Sequence, residues 1–73
     1  MRADKMFENL GYKMYEWQGY GCTYYKPKRR IHMHYEEPHG TVETENGIVN
    51  PTKAEREAID KKIKEIKNEW KKR

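Results

Sequence analysis

The C-terminal third of the chain carries the pattern that most constrains the fold. Ile59, Ile63, Ile66 and Trp70 recur at +4, +3 and +4, Ala58 sits beside Ile59, and Lys and Glu fill the remaining positions. That spacing puts the apolar side chains on one face of an amphipathic helix. Thr52 and Glu55 have the spacing of a capping box, in which a hydroxyl takes one free backbone N–H and a carboxylate reaches back to another. Asn50-Pro51 precedes them as an entry signal. The pattern predicts a helix over 52–71, with Lys71, Lys72 and Arg73 at the end where cations favour the helix dipole. A one-sided helix of about 20 residues needs an apolar surface to cover. A coiled-coil seam between two copies is one solution; packing on a sheet of the same chain is the one the upstream segment offers.

That segment alternates. Tyr12 to Trp17 is aromatic-rich with Tyr15 and Trp17 on one side and Tyr12 and Met14 on the other, and Cys22 to Lys26 places Tyr24 and Tyr25 on opposite sides. Ile31, Met33 and Tyr35 alternate with His32, His34 and Glu36. Thr41 to Glu45 reads as a short charged edge strand. The turn residues Gly19-Tyr20-Gly21, Pro27, Glu37-Pro38-His39-Gly40 (type I spacing) and Asn46-Gly47 separate or end these runs. The predicted strands are about 12–18, 22–26, 30–36 and 41–45. Ahead of them, Ala3, Met6, Phe7 and Leu10 form a short helical stripe over 3–10, and Gly11 falls where a left-handed C-terminal cap is wanted. The expected fold class is α+β in a single domain: a short N-terminal helix, an antiparallel meander of three or four strands, and a long C-terminal amphipathic helix packed on one sheet face.

Composition limits what such a body can do. Leu, Ile, Val and Phe are nine of 73 residues, about 12%, under the roughly 20% at which a charged chain tends to disorder. Nine aromatic residues and four Met must then supply much of the core. A chain this short leaves little room for a closed catalytic pocket, and the expectation is a non-enzyme without cofactor. No apolar run approaches the roughly 18–20 residues needed to cross a bilayer, and residues 1–7 have no signal-peptide core. Cys22 is the only cysteine, so no internal disulfide forms, and a cytoplasmic setting is expected. The formal net charge is +4, with the basic residues at both ends and a segment over 31–49 that has four Glu and no Lys or Arg.

Several groups carry candidate chemistry. Lys26, Lys28, Arg29 and Arg30 put four cations into five positions beside Tyr24 and Tyr25. This is a loop able to grip phosphates beside rings that bases can stack on, or a solvated hairpin that keeps a basic protein soluble. His32 and His34 share a strand face at a Cα spacing of about 7 Å, suited to zinc or copper if a third ligand converges, with His39 beyond the turn. Without such a ligand they are a solvent-facing polar strand face, and no metal is expected. Gly21 and Thr23 offer Cys22 no catalytic base, so a packed strand residue is expected there. Glu36 and Glu37 point to opposite faces and cannot flank one glycosidic bond. The sheet face opposite the helices must leave some rings outside, and exposed aromatics beside Arg and Lys are typical of protein interfaces.

The run Ala3-Asp4-Lys5-Met6-Phe7-Glu8-Asn9-Leu10-Gly11-Tyr12-Lys13 resembles the opening of small accessory proteins of phages and prophages of Gram-positive bacteria. Ala58-Ile59, Lys62, Glu65 and Trp70 are similar to the pattern of their closing helix. The chain departs from them in Lys71-Lys72-Arg73 and in its histidine-rich third strand. That family brings no catalytic residues to carry over. The resemblance implies a mobile-element protein, of a kind that often disables a host defence component such as a CRISPR effector. The expected function is therefore surface occlusion of a host or phage protein in the bacterial cytoplasm, by a monomer or small homo-oligomer. Trp17, Tyr20, Tyr24 and Tyr25 are the expected anchors, and Lys28, Arg29 and Arg30 the charged contacts. A nucleic-acid or nucleotide-binding module built on the same loop and rings is the alternative.

Overall fold

The computed structural model describes residues 1–71, with side chains through Glu69. Helix α1 spans Ala3–Asn9, five strands follow as β1 Lys13–Glu16, β2 Gly21–Lys26, β3 Arg29–His34, β4 Thr41–Thr44 and β5 Gly47–Val49, and helix α2 spans Lys53–Lys71. The strands lie in one antiparallel sheet in chain order, β1-β2-β3-β4-β5. Both helices pack on one face, giving the expected α+β arrangement. The side chains of Trp70 and Lys71, and residues Lys72 and Arg73, expected on the helical stripe and at its end, lie outside what the structure describes.

Local chemistry sets the element ends. At the end of α1, Gly11 takes φ +90°, its N–H donates to the Glu8 carbonyl, and Tyr12 N–H donates to the Phe7 carbonyl. These two bonds satisfy carbonyls that the helix leaves free, and the Phe7 and Tyr12 rings meet edge-on at 5.9 Å across the cap. At the start of α2 the capping box forms as the spacing predicts: Glu55 N–H donates to Thr52 Oγ1 (3.1 Å) and Thr52 N–H donates to Glu55 Oε1 (2.9 Å). Strand β1 stops at Glu16, short of the expected boundary at 18, because Gln18 and Gly19 both take the positive φ that a tight hairpin turn requires. Strand β3 stops at His34, and residues 35–40 cross to β4 as an irregular connection in place of a tight turn over 37–40.

The fifth strand departs from the expected three or four. Asn46-Gly47 ends no meander; with Gly47 at φ +103° it turns the chain back so that Gly47–Val49 pairs with Thr41–Thr44. Three residues are too few to show a period.

The core lies between sheet and helices. Cys22, Tyr24, Ile31, Met33 and Val42 from the strands meet Ala3 and Phe7 of α1 and Ala58, Ile59 and Ile66 of α2, all buried. Aromatic rings replace the missing aliphatics at its centre: Phe7 stacks on Tyr24 with centroids 3.7 Å apart. The stripe of α2 therefore packs within the chain. Charged side chains tie both halves of α2 to the rest. Ala3 N–H donates to Glu65 Oε2 (2.8 Å) and Lys62 Nζ to Asp4 (3.3 Å). At the other end Glu55, 3% exposed, accepts from Arg29 Nε and Nη2 (2.7 Å each) and from the Tyr12 hydroxyl (2.5 Å). Burial opposes the Glu55 charge, but Arg29, Tyr12 and the Thr52 N–H outweigh it and hold the carboxyl down at about 2.

Candidate functional site

The helices leave one face of the sheet uncovered, and the strand register decides what it presents. Lys13, Tyr25, Arg30, Glu43 and Ile48 are successive cross-strand partners from β1 to β5, and all lie on that face. The next row on the same face is Tyr15, Thr23, His32 and Thr41. Trp17 and His34 extend it toward the β1–β2 hairpin. Rings gather at the β1 side: Tyr15 and Tyr25 have centroids 5.7 Å apart, the Arg30 guanidinium is 5.8 Å from the Tyr25 ring, and Trp17 meets His34 edge-on at 4.8 Å. At the β5 edge of the same face Ile48 is 75% exposed.

A line of hydrogen bonds runs from Trp17, just past β1, across β2, β3 and β4. Trp17 Nε1–H donates to Thr23 Oγ1 (2.9 Å), Thr23 Oγ1 lies 3.0 Å from His32 Nδ1, and His32 Nε2 lies 3.3 Å from Glu43 Oε1. An indole N–H only donates, so the Thr23 oxygen accepts it and the Thr23 hydroxyl proton is free to point at His32 Nδ1. His32 then carries its proton on Nε2, toward Glu43; this tautomer is assigned from the network. The indole lies over Gly21 and Thr23, which explains why Thr23 is fully buried on a face without helices. Gly21 is the residue that admits it: a Cβ there would come within 2.7 Å of the indole ring.

Of the seven expected anchors and contacts, the fold brings three to this face. Trp17 and Tyr25 are half-buried on it and Arg30 is exposed on it. Two lie at opposite ends of β2: Tyr20, 74% exposed, at the β1–β2 tip, and Lys28, exposed, at the β2–β3 tip with its ammonium 4.0 Å from Glu45. Two are corrected. Tyr24 is no surface anchor. It is 1% exposed, stacked on Phe7, and its hydroxyl donates to Asp4 (2.5 Å), because the helices cover its side of β2 and not that of Tyr25. Arg29 is no free contact either, since its parity points it to the helix side, where Glu55 takes both arms of its guanidinium. Lys13, Tyr15 and Ile48 belong to the face and were not among the expected contacts. The shared parity of Tyr15 with Trp17 was visible in the alternation; Ile48 rests on the unrecognised β5.

Cys22 is fully buried, and burial pushes its thiol up from the ordinary value, so it stays protonated. The His32 ring nitrogens face Thr23 and Glu43, and His39 is exposed in the 35–40 connection. Among the described residues no three His, Cys, Asp or Glu are placed to hold a metal ion, and no helix is long and apolar enough to cross a membrane. Comparison of the chain with protein-family models, with curated proteins and with solved structures returns no match.

Proposed function

We propose that this is a small interaction protein without catalysis of its own, which lays its uncovered sheet face on a protein partner and acts by covering part of that partner's surface. One observation carries the reading: the face without helices presents Tyr15, Trp17, Tyr25, Arg30 and Ile48 together. Tyr, Trp and Arg dominate the buried centres of protein interfaces, where large rigid rings give contact area at little entropic cost. A row containing Lys13, Arg30 and a single carboxylate, Glu43, suits a partner surface of net negative charge. The resemblance of Ala3 to Lys13 to phage accessory proteins supplies the setting, and a bacterial defence protein such as a CRISPR nuclease is the partner that setting favours.

The experiment is capture of partners from a Gram-positive host lysate by the wild type, by Tyr15→Glu/Ile48→Glu on the open face, and by Glu57→Lys/Lys64→Glu on the exposed side of α2. All four positions are exposed, so each variant keeps its fold. A partner held by the wild type and the helix variant and lost by the face variant supports the proposal. One retained by the face variant, or lost only by the helix variant, contradicts it.

A further inference from the structure

One corner of the sheet goes beyond protein docking. Between the β1 start and the β2–β3 turn lies a cleft of about 310 Å³, and no carboxylate lines it. Lys13, Tyr25, Lys26, Lys28 and Arg30 do. The charges in this cleft are not equivalent. Lys26 Nζ donates to the Leu10 carbonyl (3.1 Å) and sits over the Tyr12 ring, so it braces the end of α1. Lys28 is within 4.0 Å of Glu45. Lys13 and Arg30 are exposed, and among the described residues no carboxylate lies within ion-pair distance of either. Glu43, directly across from Arg30, reaches His32 instead.

The register puts these two cations on either side of one ring. Lys13 and Arg30 are the cross-strand partners of Tyr25 from its two neighbouring strands, and the second ring of the pair, Tyr15, is 5.7 Å from Tyr25. A flat ring flanked by two free cations, with a second ring one step along the face, matches a base joined to a phosphate. The base stacks on the ring, and the phosphate lies against the ammonium and guanidinium. We infer that this cleft binds the base-plus-phosphate unit of single-stranded nucleic acid through Tyr25, Lys13 and Arg30. The rings need unpaired bases to stack on, so single strands are preferred over double.

The test is fluorescence anisotropy of the full chain with labelled single-stranded DNA and RNA octamers, the matching duplex, a labelled mononucleotide, and polyglutamate as competitor, over a salt series. The expected result is single-strand binding whose salt slope falls by about 0.7 for Lys13→Gln and again for Arg30→Gln. Tyr25→Leu weakens it by about tenfold, as the loss of one stacked base does, and leaves the slope unchanged. Mononucleotide binding at the same residues says that one unit suffices; an octamer requirement says that Tyr15 takes a second base. Both outcomes support the inference. It is overturned if no nucleic acid binds at low salt. It is equally overturned if duplex and polyglutamate compete as well as single strands and Tyr25→Leu has no effect, which would make the corner a general polyanion patch. These variants leave Ile48 intact, so failure here and failure of the protein-docking test are separate results.

Discussion

Glu55→Gln is the perturbation whose effect follows most directly from named contacts. The Glu55 carboxylate takes hydrogen bonds from four donors: Arg29 Nε, Arg29 Nη2, the Tyr12 hydroxyl and the Thr52 N–H. Gln keeps the size but offers one acceptor oxygen, and its NH2 group faces donors, so some of these bonds are lost together with the charge. The Arg29 side chain, 23% exposed, is left without its counter-ion. The carboxyl ordinarily titrates at 4.5 and is held at about 2 in the fold. At about 1.4 kcal/mol per pKa unit this corresponds to about 3 kcal/mol, at the lower edge of the roughly 3–5 kcal/mol seen on breaking buried pairs. For a domain this small a loss of that size lowers Tm by roughly 12–24 °C. Because the folded value is the depressed one, the contribution is complete above pH 4.5 and is lost as the pH falls through about 2. Urea unfolding followed by tryptophan fluorescence should therefore show the full gap between wild type and variant at pH 7, and a gap that shrinks from pH 4.5 downward. A cost under about 1 kcal/mol, or a gap that stays constant to pH 2.5, would refute the assignment of Glu55 as the joint between α2, β3 and the end of α1.

Gly21→Ala should destabilise by about 1–3 kcal/mol, because the new Cβ collides with the Met33 carbonyl oxygen and presses on the Trp17 ring. The displaced indole should also shift tryptophan emission to the red. Tyr24→Phe removes only the hydroxyl on Asp4 and should cost about 1 kcal/mol in the same urea assay, whereas Tyr24→Ala empties the centre of the core and should cost about 3–5 kcal/mol. Tyr25→Ala, on the open face, should cost less than Tyr24→Ala; equal costs would contradict the placement of the two rings. Gly11→Ala should cost about 1 kcal/mol in thermal unfolding, since Ala resists the positive φ of the cap.

Much of this architecture was legible because it is local. The Thr52–Glu55 box, the Gly11 cap and the alternation of Ile31 and Met33 against His32 and His34 each lie within a few residues, and each forms as the spacing indicates. The alternation also showed that Tyr24 and Tyr25 face opposite ways. It could not show which ring is inside, because that depends on where Phe7 docks, seventeen positions earlier in the chain. The same holds for Arg29. Its charge reads as part of a solvated loop until Glu55, 26 residues on, closes over it. Strand β5 escaped for a different reason: its three residues offer one turn of alternation, and Asn46-Gly47 reads equally as an end or as a hairpin turn.

The central claim is that the partner sits on the uncovered sheet face. Site-specific photo-crosslinking tests it most directly, with a benzophenone amino acid placed in turn at Tyr15, at Ile48 and at Glu57, all exposed, in the host cell that supplies the partner. Adducts of one mass from Tyr15 and Ile48, and none from Glu57, are the predicted result. An adduct from Glu57 with none from either sheet position would place the partner on α2 and contradict the account.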